Sequence, residues 1–367
     1  MLFTILIILF VFVFLIVFHE FGHFILAKKF GVKVEEFGIG LPPRLFGKKI
    51  GETLYSINLL PFGGFVKIKG SDEKIEEIDS YSEKPIWQRA LIILGGILSF
   101  WIASFLIFSL VIGIWGLSIS VSDEFPGSAE VQITKVTKNS PAALSGLKMG
   151  DKIIGLKIIK EDEFNKMNKV KEVQKFIQVH QGQEIILKVK RKEGIFDFHL
   201  IPRVVPPKGE GRIGVSLARI AQIKTPFYKA PIKGFLTTFK MTTQIPIVFG
   251  ESSKQIFQGE KVEGAEIVGP VGIGVFLGEA LERGLNNFLS FVGILSLWLA
   301  WINILPLPAL DGGRLLFLII EASLSRKRKK AFEVFQTIEK EITIFFFFLL
   351  LLLMILVTIK DIYKLFS

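Results

Sequence analysis

The stretch FLIVFHEFGHFILA, residues 14–27, places two histidines and a glutamate inside an otherwise apolar run. An ionisable side chain in a membrane span costs at least about 2.5 kcal/mol on insertion scales, so these residues need partners or a function. His19 and His23 are four residues apart, and on a helix they would share one face, where two imidazole nitrogens can meet one zinc ion. With Glu20 they match the H-E-x-x-H pattern, in which the glutamate acts as a general base beside the metal. Two alternatives are ordinary satisfied core histidines and a zinc carrier, which would spread its ligands over several spans.

The composition indicates a membrane protein. Of 367 residues, 50% are hydrophobic and 36 are Phe, and the mean hydropathy is +0.51. Four apolar runs approach the roughly 20 residues that a membrane-crossing helix needs, namely 2–27, 91–118, 285–305 and 342–359. The first run has neither a basic leader nor a small-residue cleavage site, which favours a retained span over a secretory signal. We therefore expect a polytopic α-helical membrane protein with about four transmembrane helices.

The basic residues predict the topology. Lys and Arg are frequent between the first two runs, and RKRKK at 326–330 lies between the last two. Short basic loops stay in the cytoplasm, so both termini and the long segment between the second and third runs are expected to be extracytoplasmic. Much of the net charge of +11 then comes from basic residues that orient the spans in the membrane. We expect membrane lipid as a partner and no nucleic acid.

A third metal ligand is needed, because a catalytic zinc ion normally has three protein ligands. The chain has no Cys, which excludes thiolate sites, and His180 and His199 lie in the polar central segment, where they are expected to be ordinary fold residues. Asp311, in NILPLPALDGGRLL after the third run, is the leading candidate. Prolines before it end a helix, and glycines after it permit a tight turn. The alternative is an ordinary cytoplasmic turn, with Asp311 capping a helix that begins near Arg314.

These motifs resemble a known family. HEFGH in a first span and NILPLPALDGG after a third are similar to the two signatures of the site-2 protease family of intramembrane zinc metalloproteases, here of the bacterial RseP-type branch. PFGGFVKIKG at 61–70 is similar to the family's membrane-associated β-loop, and GPVGI at 269–273 to the segment before its third span. The resemblance implies a bacterial inner-membrane enzyme whose substrates are transmembrane proteins, such as anti-sigma factors or remnant signal peptides.

The same resemblance implies roles for individual residues. Zn²⁺ would be held by His19, His23 and Asp311, with Glu20 as the general base. Asn303 would lie near the substrate. Gly63 and Gly64 would belong to the β-loop that pairs with an unwound substrate segment.

The central segment resembles a single PDZ domain of the bacterial protease-associated type, an extracytoplasmic α/β insert. VQITKVTKNSPAALSGLKMGDKIIGLKI at 131–158 combines alternating runs, a short helical piece and a Gly-Asp turn. Such a domain could contact a substrate ectodomain or C-terminus, or exclude bulky ectodomains, which we favour slightly. Residues 226–262 suit an interfacial amphipathic helix, with a partial span as the alternative. The predicted division is 1–118 (first two spans and β-loop), 119–205 (PDZ), 206–284 (linker and interfacial segment) and 285–367 (last two spans).

Overall fold

The computed structural model describes residues 2–71, 75–191, 194–207, 209–258, 268–324 and 329–366. In chain order its elements are α1 (Leu2–Lys29), β1 (Val34–Ile50), β2 (Thr53–Ile68), α2 (Ile86–Trp115), β3 (Leu117–Val121), β4 (Ala129–Val136), α3 (Pro141–Ser145), β5 (Lys152–Ile158), β6 (Asn165–Lys166), α4 (Val170–Val179), β7 (Ile185–Arg191), β8 (Gly194–Leu200), β9 (Val215–Ile223), a 3₁₀ turn (Phe227–Lys229), α5 (Ala230–Phe257), α6 (Pro270–Glu282), α7 (Leu285–Ile304), α8 (Asp311–Leu324) and α9 (Lys329–Phe366). These elements form two compact units, a helical unit (Met1–Leu110 and Ala230–Ser367) and a sheet unit (Val111–Lys229).

Four of the described helices are long and apolar enough to cross a membrane: Thr4–Lys29, Ile86–Trp115, Leu285–Ile304 and Ile338–Lys364. They coincide with the four apolar runs, which confirms the prediction of a polytopic membrane protein. The last helix, α9, begins at Lys329, well before its apolar run, because the polar sequence ahead of that run is also helical. Residues 326–328 of the basic run RKRKK lie outside the described residues.

Two apolar clusters hold the helical unit together. One joins α1, α2, α6 and α7 around Leu15, Phe100, Leu277 and Phe288. The other joins α1, both strands of the hairpin, α2 and α8 around Val34, Ile68, Ile92 and Leu318. Because α1 contributes to both clusters, its polar motif lies between two packed regions.

The predicted β-loop is part of a larger hairpin, in which β1 and β2 are 17 and 16 residues long. The hairpin folds back on itself, so that Phe37 lies opposite both Tyr55 and Val66, and Gly47 lies opposite Ser56. The result is a small mixed sheet in the order 44–50, 53–58, 36–41 and 64–68, in which 36–39 runs parallel to 54–57 and the outer stretches pair antiparallel. The last of these stretches, 64–68, forms one edge of that sheet.

In the sheet unit the strand order is β3-β9-β4-β5-β7-β8, with β6 paired to β5. Its core is formed by fully buried side chains such as Val131, Leu156 and Leu187. The unit continues past the predicted boundary at residue 205, because β9 returns to pair with both β3 and β4. The prolines and glycines after residue 205 were interpreted as a linker, but they lead the chain back into the sheet.

Helix α5 contains most of the predicted interfacial segment; residues 259–262 of that segment lie outside the described residues. Thr242 binds α5 to two neighbouring helices. Its Oγ1 accepts a hydrogen bond from Trp101 Nε1 of α2 at 3.1 Å, and its carbonyl oxygen accepts one from Trp301 Nε1 of α7 at 2.9 Å. Helix α5 therefore packs beside α2 and α7, and its place at a membrane surface stays a prediction.

Candidate metal centre

Glycines bring α1 and α2 unusually close together beside the HEFGH motif. A Cβ added at Gly22 would lie 2.1 Å from the carbonyl oxygen of Gly95, and one added at Gly95 would lie 2.6 Å from that of Gly22. Real Cβ atoms do not make contacts this short, so this helix crossing requires glycine at both positions. Small residues that allow close backbone approach are a common basis of helix packing in membranes.

His19, His23 and Asp311 come together at this crossing. The Nε2 atoms of His19 and His23 lie 3.3 Å apart. Oδ2 of Asp311 lies 3.4 Å from Nε2 of His19 and 3.3 Å from Nε2 of His23. In a tetrahedral site with metal–ligand bonds of about 2.0 Å, ligand atoms are about 3.3 Å apart. The three side chains thus have the spacing of three ligands around one zinc ion.

The surroundings fix the orientation of both imidazoles. Nδ1 of His23 donates a hydrogen bond of 2.8 Å to the carbonyl oxygen of Ile92. The ring proton is then on Nδ1, and the lone pair of Nε2 is available to bind a metal ion. The ring of His19 stacks on that of Phe100, with centroids 4.6 Å apart. Gly96 provides the space for the pair, since a Cβ there would lie 2.2 Å from Nε2 of His23 and 2.5 Å from Cε1 of His19.

Asp311 reaches the histidines because α7 stops early. The helix ends at Ile304, and the chain turns through two prolines before α8 begins at Asp311 itself. Gly312 and Gly313 permit this turn, because a Cβ at either would lie about 2 Å from a carbonyl oxygen of the preceding loop, at 2.2 and 2.1 Å. The alternative of a cap on a helix starting near Arg314 does not describe this arrangement, since the carboxylate is directed at His19 and His23.

The donor set fits zinc. Within the described part of the chain, these three residues form the one cluster of His, Cys, Asp or Glu that could hold a metal ion. All three are at least nine-tenths buried, and Oδ2 of Asp311 is buried without a hydrogen-bond partner. Two imidazole nitrogens and a carboxylate oxygen suit Zn²⁺, and three protein ligands leave the fourth position for water or substrate.

Glu20 borders the same site but is not one of the three clustered side chains. Its Oε2 accepts a hydrogen bond of 3.1 Å from the main-chain N–H of Val66 in β2. Glu20 borders a cavity of about 1040 Å³, which is also lined by His19, His23, Phe65, Val66, Tyr81, Arg89, Asn303, Asp311, Arg314, Glu321 and Glu339. The cavity connects the histidine cluster with a polar region formed by α2, α8 and α9.

The structure places the predicted substrate residues around this site, and their roles remain predictions. Asn303 lines the cavity, with its Nδ2 donating a hydrogen bond to the Leu299 carbonyl at 2.9 Å. Gly64 packs against α1, since a Cβ there would lie 3.1 Å from Cγ2 of Val17, one turn before Glu20. Gly63 has a φ of +122°, a conformation that favours glycine.

Sequence reasoning missed the contribution of the second span. Gly95 and Gly96 of α2 shape the site, although they carry no ligand atom. The paired glycines within an otherwise bulky apolar run were the signal that could have identified them. Outside the helical unit, His180 lies near Gln183 and His199 near Glu184, as expected of ordinary fold residues.

Comparison with known proteins agrees with this geometry. The profile of peptidase family M50 matches residues 7–352. A Clostridium perfringens protein whose name includes the words zinc metalloprotease is 34% identical over 349 residues, covering 95% of both chains. The zinc metalloprotease RasP of Geobacillus kaustophilus is 29% identical over 84% of this chain and 87% of its own. The regulator of sigma-W protease RasP of Bacillus subtilis is 28% identical over 88% of this chain and 91% of its own. With nearly the whole chain matched and the His, His and Asp ligand atoms together, the chain belongs to peptidase family M50.

Proposed function

We propose that this zinc metalloprotease hydrolyses peptide bonds within the transmembrane segments of other membrane proteins, in regulated intramembrane proteolysis. The observation that carries the proposal is the set of three ligand atoms 3.3–3.4 Å apart beside Glu20, on helices apolar enough to cross a membrane. The name of the Bacillus subtilis relative, regulator of sigma-W protease, supports a regulatory protease. The transmembrane segments of anti-sigma factors or remnant signal peptides would be its substrates.

His19, His23 and Asp311 would hold the zinc ion. A bound Zn²⁺ supplies Lewis-acid activation of a water molecule and of the scissile carbonyl. Glu20 would take a proton from the attacking water at its carboxylate and deliver it to the leaving amine. The hydrogen bond from His23 to Ile92 would keep the imidazole in the tautomer that binds metal.

The substrate would be held as an extended strand. A transmembrane helix hides its amides in internal hydrogen bonds, so it must unwind before hydrolysis, and its freed groups need new partners in the membrane. Stretch 64–68 is an edge of the hairpin sheet, and strand addition at such an edge supplies those partners. Gly63 and Gly64 would keep this edge close to α1, and Asn303 would contact the bound segment from the cavity wall.

The sheet unit would be the PDZ domain of a multi-pass protein of the bacterial inner membrane. Both termini and this unit would be extracytoplasmic, as the basic loops predict. It would exclude bulky ectodomains, or bind a substrate ectodomain or C-terminus by strand addition. Surrounding lipid and transmembrane substrates would be the partners, with no nucleic acid involved.

The decisive experiment is cleavage of a single-span substrate with a short ectodomain in liposomes. We expect the wild type to cut within the span, Glu20→Gln to retain zinc without cutting, and Asp311→Ala to lose both zinc and activity. Zinc content is measured in all three proteins. Wild-type cleavage by Glu20→Gln would contradict the role of the base, and absence of zinc from the wild type would contradict the metal site.

A second experiment tests the topology. The chain contains no Cys, so a single introduced cysteine gives unambiguous labelling. Glu83→Cys lies between the first two spans and Asp162→Cys in the sheet unit, and both side chains are exposed. A membrane-impermeant thiol reagent applied to spheroplasts should label the cysteine at 162 and spare the one at 83. The reverse pattern would invert the proposed orientation.

A further inference from the structure

The proposed general base, Glu20, is hydrogen-bonded to the edge strand of the hairpin sheet. Glu20 lies on α1, yet its Oε2 accepts the main-chain N–H of Val66, 46 residues later in the chain. The carboxylate is partly buried. Hydrogen bonds to charged groups contribute more to stability than hydrogen bonds between neutral groups. The direction in which Glu20 points is thus determined by a main-chain group of β2.

The Val66 N–H is an outward-facing group of this edge. Val66 lies opposite Phe37 of β1, and Phe37 is paired on its other side with Tyr55, so stretch 64–68 has a neighbouring strand on one side. Main-chain groups of an edge strand face inward and outward at alternate residues. Since Val66 donates outward to α1, Gly64 presents its own N–H and carbonyl on the same side.

We propose that the N–H of Val66 is a positioning group for Glu20, so that the strand edge that pairs with the substrate also sets the general base. This inference rests on the proposed function. Gly64 and Val66 are two residues, or about 7 Å, apart along the strand. A substrate strand that pairs at Gly64 would therefore lie next to the N–H that binds Glu20. The register of the substrate and the position of the base are then defined by one strand.

The test removes this N–H, and in the ester variant it leaves the side chain in place. Replacing Val66 by its α-hydroxy acid converts the amide to an ester, and Val66→Pro removes the same donor. Proline is tolerated at sheet edges where the N–H does not pair within the sheet. We expect kcat to fall about tenfold or more, as for loss of a hydrogen bond to a charged group, with KM within about twofold and zinc content unchanged. The matched control is the same ester at Val121 in β3, an edge strand of the sheet unit, which should leave kcat unchanged.

A second readout needs neither zinc nor substrate. In zinc-free protein labelled with ¹⁵N-valine, the Val66 amide proton should shift upfield by a clear fraction of a part per million when Glu20 is replaced by Ala, while the Val121 amide does not move. An unchanged Val66 resonance would overturn the inference. So would an ester at Val66 with wild-type kcat, or one that raises KM alone, since the N–H would then serve the substrate. A wild type that cleaves no substrate contradicts the proposed function, and the inference with it.

Discussion

Arg89 and Glu321 form a two-point ion pair between α2 and α8, with Nη1–Oε1 and Nη2–Oε2 distances of 2.6 and 2.9 Å. The two side chains are only 14% and 16% exposed, and they line the same cavity as His19, His23 and Asp311. Arg89 lies two turns before Gly96, and Glu321 lies three turns after Asp311. The pair therefore joins α8, which carries the proposed third ligand Asp311, to α2, which makes room for both histidines.

Breaking this pair should loosen the metal site. Glu321→Ala leaves a buried guanidinium without its partner, which costs roughly 3 kcal/mol of unfolding free energy. We expect zinc affinity, measured by competition with a chelator, to fall together with the unfolding free energy in detergent. Glu279→Ala is the control, because its pair with Arg283 is more exposed and is worth less than about 0.5 kcal/mol. Equal zinc affinities for the two variants would contradict the role assigned to the Arg89–Glu321 pair.

Gly96→Ala should weaken zinc binding although residue 96 is not itself one of the proposed ligands. The added methyl group would lie 2.2 Å from Nε2 of His23, so one imidazole has to move away. Displacing a metal ligand in this way typically costs about 10- to 100-fold in affinity or activity. Zinc content by elemental analysis and cleavage rate check the prediction. Gly274→Ala is the control, because its Cβ would meet Ile8 at an ordinary 3.5 Å; a Gly96→Ala protein with full zinc content would refute the steric argument.

The parts of this architecture that follow from local pattern could be predicted from the sequence. The four apolar runs gave the spanning helices, and HEFGH together with LDGG gave three side chains that the fold does bring together. Helical periodicity alone puts His19 and His23 on one face, and prolines alone stop α7 before Asp311.

The remaining features depend on contacts between distant segments. Gly96 matters only because α1 crosses α2 at that point, and Arg89 pairs with a residue 232 positions away. The end of the sheet unit was predicted too early for the same reason. The alternating pattern of β9 belongs to a sheet whose other strands lie before residue 205, and a Pro- and Gly-rich stretch separates them.

Asp361 of α9 should be needed to hold the N-terminus of α6. Its Oδ2 accepts hydrogen bonds of 2.8 Å from the main-chain N–H groups of Gly269 and Gly272, which are helix-terminal donors with no partner inside the helix. Asp361→Ala should destabilise this helix start by about 1–2 kcal/mol. Hydrogen exchange of peptides covering α6 measures the effect. Thr358→Ala, which loses a bond only within its own helix, is the control, and equal protection of α6 in both variants would exclude the cap.

Asp123 should make the sheet unit sensitive to acid. Burial alone would raise the pKa of its carboxyl, but the N–H groups of Lys171 and Val170 at the start of α4, together with the positive charge of Arg219, lower that pKa below its ordinary value. A carboxyl whose pKa is lowered in the folded state contributes stability above its unfolded pKa, near 4, and that contribution is lost as the pH falls through the folded value. We therefore expect the α4 amides of the full chain, corrected for intrinsic exchange, to lose protection below about pH 4. Asp123→Asn should already show reduced protection at pH 7 and little further loss from this site on acidification; a variant with the same pH profile as the wild type would show that Asp123 does not hold α4.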